Sequence, residues 1–102
     1  MLDGLYDFNV QSPMGNLSPV VCIKTTPYNV TGYIELLGKK HEFKDGKYNK
    51  NQIFLSGTYS SNFLKIQYNI SGYLQNNTLF LTAKTNMGTF NLQGTKRYEK
   101  NC

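Results

Sequence analysis

Apolar and polar residues alternate along the stretch 64–74. Its even positions carry apolar side chains or glycine and its odd positions are mostly polar: Leu64, Ile66, Tyr68, Ile70, Gly72 and Leu74 against Lys65, Gln67, Asn69, Ser71 and Tyr73. A period of two places these sets on opposite faces of a β-strand, whereas a helix needs apolar spacings of three and four. The stretch therefore predicts a strand roughly 36 Å long, at about 3.3 Å per residue. Such a length is typical of a curved sheet or a barrel.

The same alternation recurs along the chain, interrupted by Pro, Gly and Asn, which favour tight turns. It predicts eight strands, at about 5–12, 17–26, 31–37, 41–48, 52–60, 64–74, 78–86 and 89–97. Short connections make neighbouring strands antiparallel. Asp45-Gly46 fits either a hairpin turn or a kink within one strand, and we favour the kink because 49–51 offers a better-placed break.

Eight sequential antiparallel strands can close on themselves, and closure removes exposed sheet edges. The 102 residues suffice for one domain. We therefore predict an all-β chain in which residues 1–102 form a single eight-stranded antiparallel up-and-down barrel.

The first and last predicted strands indicate how the barrel closes. Tyr6, Phe8 and Val10 share one phase of the first strand, and Phe90 and Lys96 share one phase of the last. If both phases face inward, the Lys96 ammonium reaches to within about 6 Å of the Tyr6 ring at one end of the barrel. Arg97, the next residue, should point outward.

Several motifs carry a resemblance that covers nearly the whole chain: Gly4-Leu5-Tyr6, Pro13-Met14-Gly15, Gly32-Tyr33-Ile34, Gly72-Tyr73-Leu74, Met87-Gly88-Thr89-Phe90 and Gly94-Thr95-Lys96. They resemble a group of small bacterial all-β domains of unassigned function. The frame also resembles avidin- and lipocalin-like (calycin-type) barrels, in which a first-strand aromatic packs under a basic side chain from the last strand. Such barrels usually carry Trp where this chain has Tyr6. The resemblance implies a barrel and supplies no catalytic residues.

The chain is basic, with a formal charge of +5 and a pI near 9.3. Residues 39–50 interleave lysines with Phe43 and Tyr48, a pattern that can hold single-stranded nucleic acid. The alternative is that Phe43 enters the core and the lysines are solvated. We favour this alternative, because lysines are spread through most of the chain, and we do not expect a nucleic-acid partner.

Candidate catalytic and metal-binding patterns are sparse. His41 is the single histidine, and Glu42 beside it should point to the opposite face of a strand. We interpret His41 as a solvated residue near a turn, without an orienting partner, and expect no enzyme activity. The sequence contains no Cys/His cluster, nucleophile elbow or phosphate-binding loop. We therefore expect neither a metal nor a cofactor.

The cysteines and the N-terminus bear on location. Cys22 and Cys102 are interpreted as unpaired thiols in a reducing compartment. The reason is that Cys102 is the last residue of the sequence, and chain ends tend to fray. The sequence lacks a secretory-signal pattern and a long apolar run, so we expect no membrane association. The cytoplasm is the expected location.

Function is narrowed only to a class. The leading hypothesis is a non-catalytic barrel that binds a small apolar molecule in an interior lined by Tyr6, Phe8, Phe43, Tyr59, Leu64, Ile66, Tyr68, Ile70 and Phe90. The alternative is a protein-interaction or homo-oligomerisation module with a filled core. The consecutive apolar residues 20–23, with Tyr33 and Tyr73 on the face opposite the core, motivate it.

Overall fold

The computed structural model describes residues 2–12, 15–60 and 65–97. The strands are β1 (Gly4–Phe8), β2 (Val10–Ser12), β3 (Gly15–Leu17), β4 (Val20–Thr25), β5 (Val30–Leu36), β6 (Lys39–Asn49), β7 (Gln52–Ser60), β8 (Lys65–Gln75), β9 (Thr78–Thr85) and β10 (Gly88–Lys96). Eight of them form a closed barrel in the order β1-β10-β9-β8-β7-β6-β5-β4, and β2 pairs with β3 in a separate two-stranded sheet. Every paired strand is antiparallel to its neighbour. The predicted eight-stranded up-and-down barrel is confirmed.

The first two predicted strands are each divided in two, which the alternation did not predict. The chain leaves the barrel after Phe8, forms the β2–β3 hairpin and re-enters at Val20. At this branch point the backbone N–H of Phe8 donates to the carbonyl oxygen of Pro19, 3.0 Å away. Pro19 itself has no N–H to continue a ladder. Val10 pairs with Leu17 in the hairpin and does not continue the barrel wall.

The predicted kink at Asp45-Gly46 is confirmed, because β6 runs unbroken from Lys39 to Asn49. Its register with β5 shifts between the pairs Val30–Gly46 and Gly32–Phe43. A Cβ atom at position 46 would lie 2.5 Å from Leu55 Cδ2. Glycine therefore allows the bent strand to pass close to β7.

The barrel closes between β1 and β10, where Tyr6 pairs with Lys96. The Lys96 ammonium lies 5.8 Å from the centre of the Tyr6 ring, as the sequence predicts. Arg97 points outward and makes two hydrogen bonds of 2.7 Å to the Asp7 carboxylate. These bonds hold the pKa of Asp7 below its usual value. We call this end of the barrel, where β1 begins and β10 finishes, the closed end, and the opposite end the open end.

The closed end contains the tightly packed part of the core. Tyr6, Val30, Ile53 and Leu79 are fully buried there. The Tyr6 hydroxyl donates to the carbonyl oxygen of Leu2 at 2.7 Å, so its polar atom is satisfied.

The cysteine prediction needs correction. Cys22 is 1% exposed and disulfide-bonded, so the interpretation as an unpaired thiol is wrong for this residue. That interpretation rested on sequence position, which does not determine which sulfur atoms the fold brings together. Cys102, the other cysteine of the sequence, lies outside the described residues.

Candidate functional site: a cavity at the open end

A cavity of about 230 Å³ lies at the open end of the barrel interior. Its deeper wall includes inward-facing residues of β4, β5, β9 and β10, namely Val21, Ile34, Leu81, Ala83 and Leu92. Strand alternation places these side chains inside. The cavity therefore follows from the same pattern that defines the core, at a level where the side chains do not fill the space.

The position of the Phe8 ring explains part of this unfilled volume. Gly94 is its partner on β10, and a Cβ atom at Gly94 would overlap the Phe8 ring. The ring therefore packs over the glycine backbone. On β9, the small side chain of Ala83 adds little volume to the cavity wall. A glycine and an alanine on neighbouring strands thus leave space inside this half of the barrel.

Exposed apolar residues surround the mouth of the cavity. Leu37, in the turn after β5, is 61% exposed, and Met87, in the turn after β9, is 53% exposed. Both line the cavity, as do Val10 and Leu17 of the β2–β3 hairpin. Exposed apolar groups at the edge of an apolar cavity are typical of an interaction or entry site.

A polar cluster, which we define as His41, Tyr59 and Tyr68, lies beside β6 and β7. His41 Nε2 is 3.1 Å from the Tyr68 hydroxyl, and the Tyr59 hydroxyl donates to the carbonyl oxygen of Leu36 at 2.8 Å. The imidazole meets both phenol rings edge to face, with centroids 5.8 and 5.9 Å apart. The interpretation of His41 as a solvated residue without an orienting partner is therefore wrong.

Burial also determines the charge state of the polar cluster. It lowers the pKa of His41, and the positive charge of Lys39 lowers that pKa further. It raises the pKa of Tyr68. The imidazole is consequently neutral at neutral pH, and it pairs with a phenol rather than with a carboxylate. Among the described residues, the hydrogen-bond partner of this imidazole is the Tyr68 phenol, whereas a carboxylate orients the histidine of a catalytic triad.

The polar cluster lies where the ladder between β6 and β7 is short. β6 and β7 pair over Lys47–Asn49 and Gln52–Phe54, and these pairs do not extend toward the open end in the described residues. There the Lys39 ammonium donates to the carbonyl oxygen of Ser60 at 2.6 Å. A Cβ atom on Gly57 would come within 2.9 Å of the Tyr68 hydroxyl. Side chains therefore close this part of the wall in place of a backbone ladder.

The structure divides the predicted lining residues among three locations. Phe8, Ile66, Ile70 and Phe90 line the open-end cavity. Tyr6 and Phe43 are buried core residues, and Tyr59 and Tyr68 belong to the polar cluster. Leu64 lies outside the described residues.

Sequence reasoning did not include the lining residues on β4, β5 and β9. Val21 was expected to face inward but was not counted as a lining residue, and the alternation on β5 and β9 could have identified Ile34 and Leu81 in the same way. Met87 lies in a turn, where periodicity indicates no direction.

The residues that motivated an oligomerisation surface are mostly covered. Val21 and Ile23 belong to the core. Tyr33 is half-buried, with the Lys40 ammonium 4.5 Å from its ring centre. Tyr73 remains 44% exposed. In the basic segment 39–50, Phe43 is buried, as expected for a core residue between solvated lysines.

Within 2–12, 15–60 and 65–97, no three His, Cys, Asp or Glu residues lie together in a way that could hold a metal ion. The same residues include no helix long and apolar enough to cross a membrane. No protein-family model, curated protein or solved structure matches this chain.

Proposed function

We propose that this barrel is a non-catalytic protein that binds a small apolar molecule in the open-end cavity. The observation that carries the proposal is the apolar lining of that 230 Å³ space. Thr85 contributes a hydroxyl to the lining residues, but this group donates to the carbonyl oxygen of Gly88 at 2.8 Å and accepts the N–H of Met87 at 3.0 Å. The cavity thus favours a ligand that needs no hydrogen bond deep in the barrel.

The volume limits the size of the ligand. An apolar cavity of about 150 Å³ accommodates benzene in another protein, and pockets for drug-sized ligands span roughly 300–1,000 Å³. A volume of about 230 Å³ therefore suits a one- or two-ring hydrocarbon or a short alkyl chain. The exposed Leu37 and Met87 side chains flank the route that such a molecule would take.

The barrel frame and the disulfide extend the proposal. Eight-stranded barrels have room either for a filled core or for one small ligand, and this closed up-and-down frame is compatible with a calycin-type fold. A disulfide-bonded Cys22 favours an oxidising compartment over the cytoplasm expected above, because thiols are kept reduced in the cytosol.

A thermal-shift titration with naphthalene tests the proposal. A ligand that binds only the native state stabilises it by about 1.4 kcal/mol when the ligand concentration is about ten times its Kd. For a domain of this size, that raises Tm by roughly 6–11 °C. Glycerol, which is small but polar, serves as the comparison ligand at the same concentration. No rise with naphthalene, or an equal rise with glycerol, would contradict the proposal.

Ala83→Leu provides the matched variant, because it adds apolar volume inside the cavity. Lys84→Leu adds the same side chain at the next position, which is exposed. We expect Ala83→Leu to abolish the naphthalene shift and Lys84→Leu to preserve it. Leu92→Phe is a second cavity-filling change if Ala83→Leu is too large for the site. A shift that survives both cavity-filling variants would place naphthalene elsewhere.

A further inference from the structure

The outer wall formed by β7, β8, β9 and β10 differs in chemistry from the rest of the barrel. Its outward positions carry serine, threonine, asparagine, glutamine and aromatic side chains, with Lys65 and Lys84 as charged exceptions toward the open end. Residues 52–97 include no Asp or Glu. On β5 and β6, by contrast, charged residues such as Glu35, Lys40 and Glu42 occupy the wall. We call the β7–β10 surface the neutral wall.

Three aromatic residues stand on the neutral wall. Tyr73 on β8 lies directly opposite Phe80 on β9, and their rings stack with centroids 5.2 Å apart and planes 24° apart. Phe54 on β7 is 45% exposed and lies one register step away, opposite Ser71. Cross-strand stacking accounts for the Tyr73–Phe80 pair as a sheet contact. It does not account for the nearly half-exposed Phe54 ring beside that pair.

These rings border a surface depression of about 520 Å³, a size typical of a ligand site. Its other lining residues include Gln52, which pairs with Tyr73, and Gln93, which pairs with Phe80. Thr82 Oγ1 is 3.1 Å from Asn91 Oδ1, so two further polar side chains are held in place. Among the described residues that line the depression, none is Lys, Arg, Asp or Glu.

We propose that this depression binds a neutral oligosaccharide. Sugar rings carry C–H groups on their faces, which pack against the electron-rich faces of aromatic rings. They carry hydroxyl groups around the ring, which both donate and accept hydrogen bonds. Asn and Gln amides and Ser and Thr hydroxyls have the same dual capacity. An uncharged platform that combines both contact types complements an uncharged, hydroxyl-rich ligand.

The charge distribution favours a sugar over a nucleic acid at this site. A single-stranded nucleic acid also stacks on aromatic rings, but its phosphates need a positively charged groove. Lys47 on β6 pairs with Phe54 on β7, so a basic residue lies beside the depression. A single lysine does not form a positively charged groove. The inference is independent of the proposed interior ligand, because the neutral wall and the cavity lie on opposite faces of the sheet. Among the described residues, Leu92 alone lines both sites.

Native affinity electrophoresis tests the inference. The full chain is run through gels that contain xylan, mixed-linkage β-glucan or galactomannan, with polygalacturonate and poly(U) as charged comparisons. We expect at least one neutral polysaccharide to retard the protein, and we expect Tyr73→Ala and Phe54→Ala each to weaken retardation roughly tenfold or more, equivalent to about 1.4 kcal/mol. Tyr28→Ala, at an 86% exposed tyrosine outside the neutral wall, should behave like the unchanged chain.

Several results would overturn the inference. They are no retardation by any of the three neutral polysaccharides, equal retardation of Tyr73→Ala and the unchanged chain, and retardation by polygalacturonate or poly(U) alone. Light scattering that shows a dimer dissociated by Phe54→Ala, without polysaccharide binding, would make the depression a subunit interface instead. Phe54→Ala keeps the test decisive if Tyr73→Ala loses stability with its stacking partner. Ala83→Leu should retain sugar binding, which separates this result from that of the interior cavity.

Discussion

Tyr6→Phe removes one buried hydroxyl group from the closed end and leaves the ring in place. Tyr6 is 0% exposed, and its hydroxyl donates to the carbonyl oxygen of Leu2 at 2.7 Å. Leu2 itself is 2% exposed, so water cannot readily replace the lost donor. A buried acceptor left without its partner costs about 1–3 kcal/mol. We expect the free energy of unfolding to fall by that amount at neutral pH.

The same hydroxyl makes stability depend on alkaline pH. Burial, followed by the negative charge of Asp3, raises the pKa of Tyr6 from 10.0 to about 12. Because the folded-state pKa is the higher one, the contribution is complete below about pH 10 and is lost as the pH rises through about 12. At about 1.4 kcal/mol per pKa unit, it amounts to roughly 3 kcal/mol. Tyr6→Phe should lack this part of the alkaline loss.

Urea unfolding at neutral pH and at a series of alkaline pH values measures both effects. Tyr28→Phe is the matched control, because Tyr28 is 86% exposed; we expect it to change stability by less than about 0.5 kcal/mol. In the folded protein, Tyr6→Phe should remove one phenol from the late-titrating part of the tyrosinate absorbance. Equal stabilities for the two variants, or an alkaline limb unchanged by Tyr6→Phe, would refute the buried hydrogen bond.

Three further changes test the core, the close approach of two strands and the closing ion pair. Ile53→Ala should cost about 2–5 kcal/mol in urea melts, because Ile53 is 0% exposed, and a loss below about 1 kcal/mol would contradict its place in the core. Gly72→Ala should lower the free energy of unfolding by about 3 kcal/mol or more, because the added Cβ would overlap the carbonyl oxygen of Phe80. An unchanged urea melt would show that the two strands can separate there. Asp7→Asn should flatten the acid limb of the free energy of unfolding against pH. The lowered pKa of Asp7 contributes to folding stability, and this contribution is lost as the pH falls through that pKa. An unchanged acid limb would contradict this.

The architecture could be predicted because alternation and turn residues act locally. The period-two pattern predicted the paths of β5 to β10 to within a few residues, and the phases of Tyr6 and Lys96 predicted how the ends meet. Gly46 was correctly interpreted as a kink. Each inference required only that side chains on a strand alternate between two faces and that one face is buried.

The candidate sites could not be predicted in the same way, because they depend on volumes and on neighbours across the sheet. Periodicity places Phe8 inside, but it does not show that its ring covers Gly94 and leaves space near Ala83. The excursion of β2 and β3 from the barrel accompanies a contact between Phe8 and Pro19 that the alternation does not reveal. The aromatic depression forms only when β7, β8 and β9 lie in register, which brings Phe54 near Tyr73 and Phe80.

The pairing of β1 with β10 has a consequence for folding kinetics. Asp7 and Arg97, which join these strands, are 90 residues apart in the chain, so closing the ring has one of the largest loop-closure costs available to the molecule. Proteins rich in such distant contacts fold in milliseconds to seconds rather than microseconds. During synthesis, β1 can pair with β4 early, but its other edge stays unpaired until β10 has left the ribosome. Until then the nascent chain is an open sheet, and this is the period in which it most needs protection from edge-to-edge association.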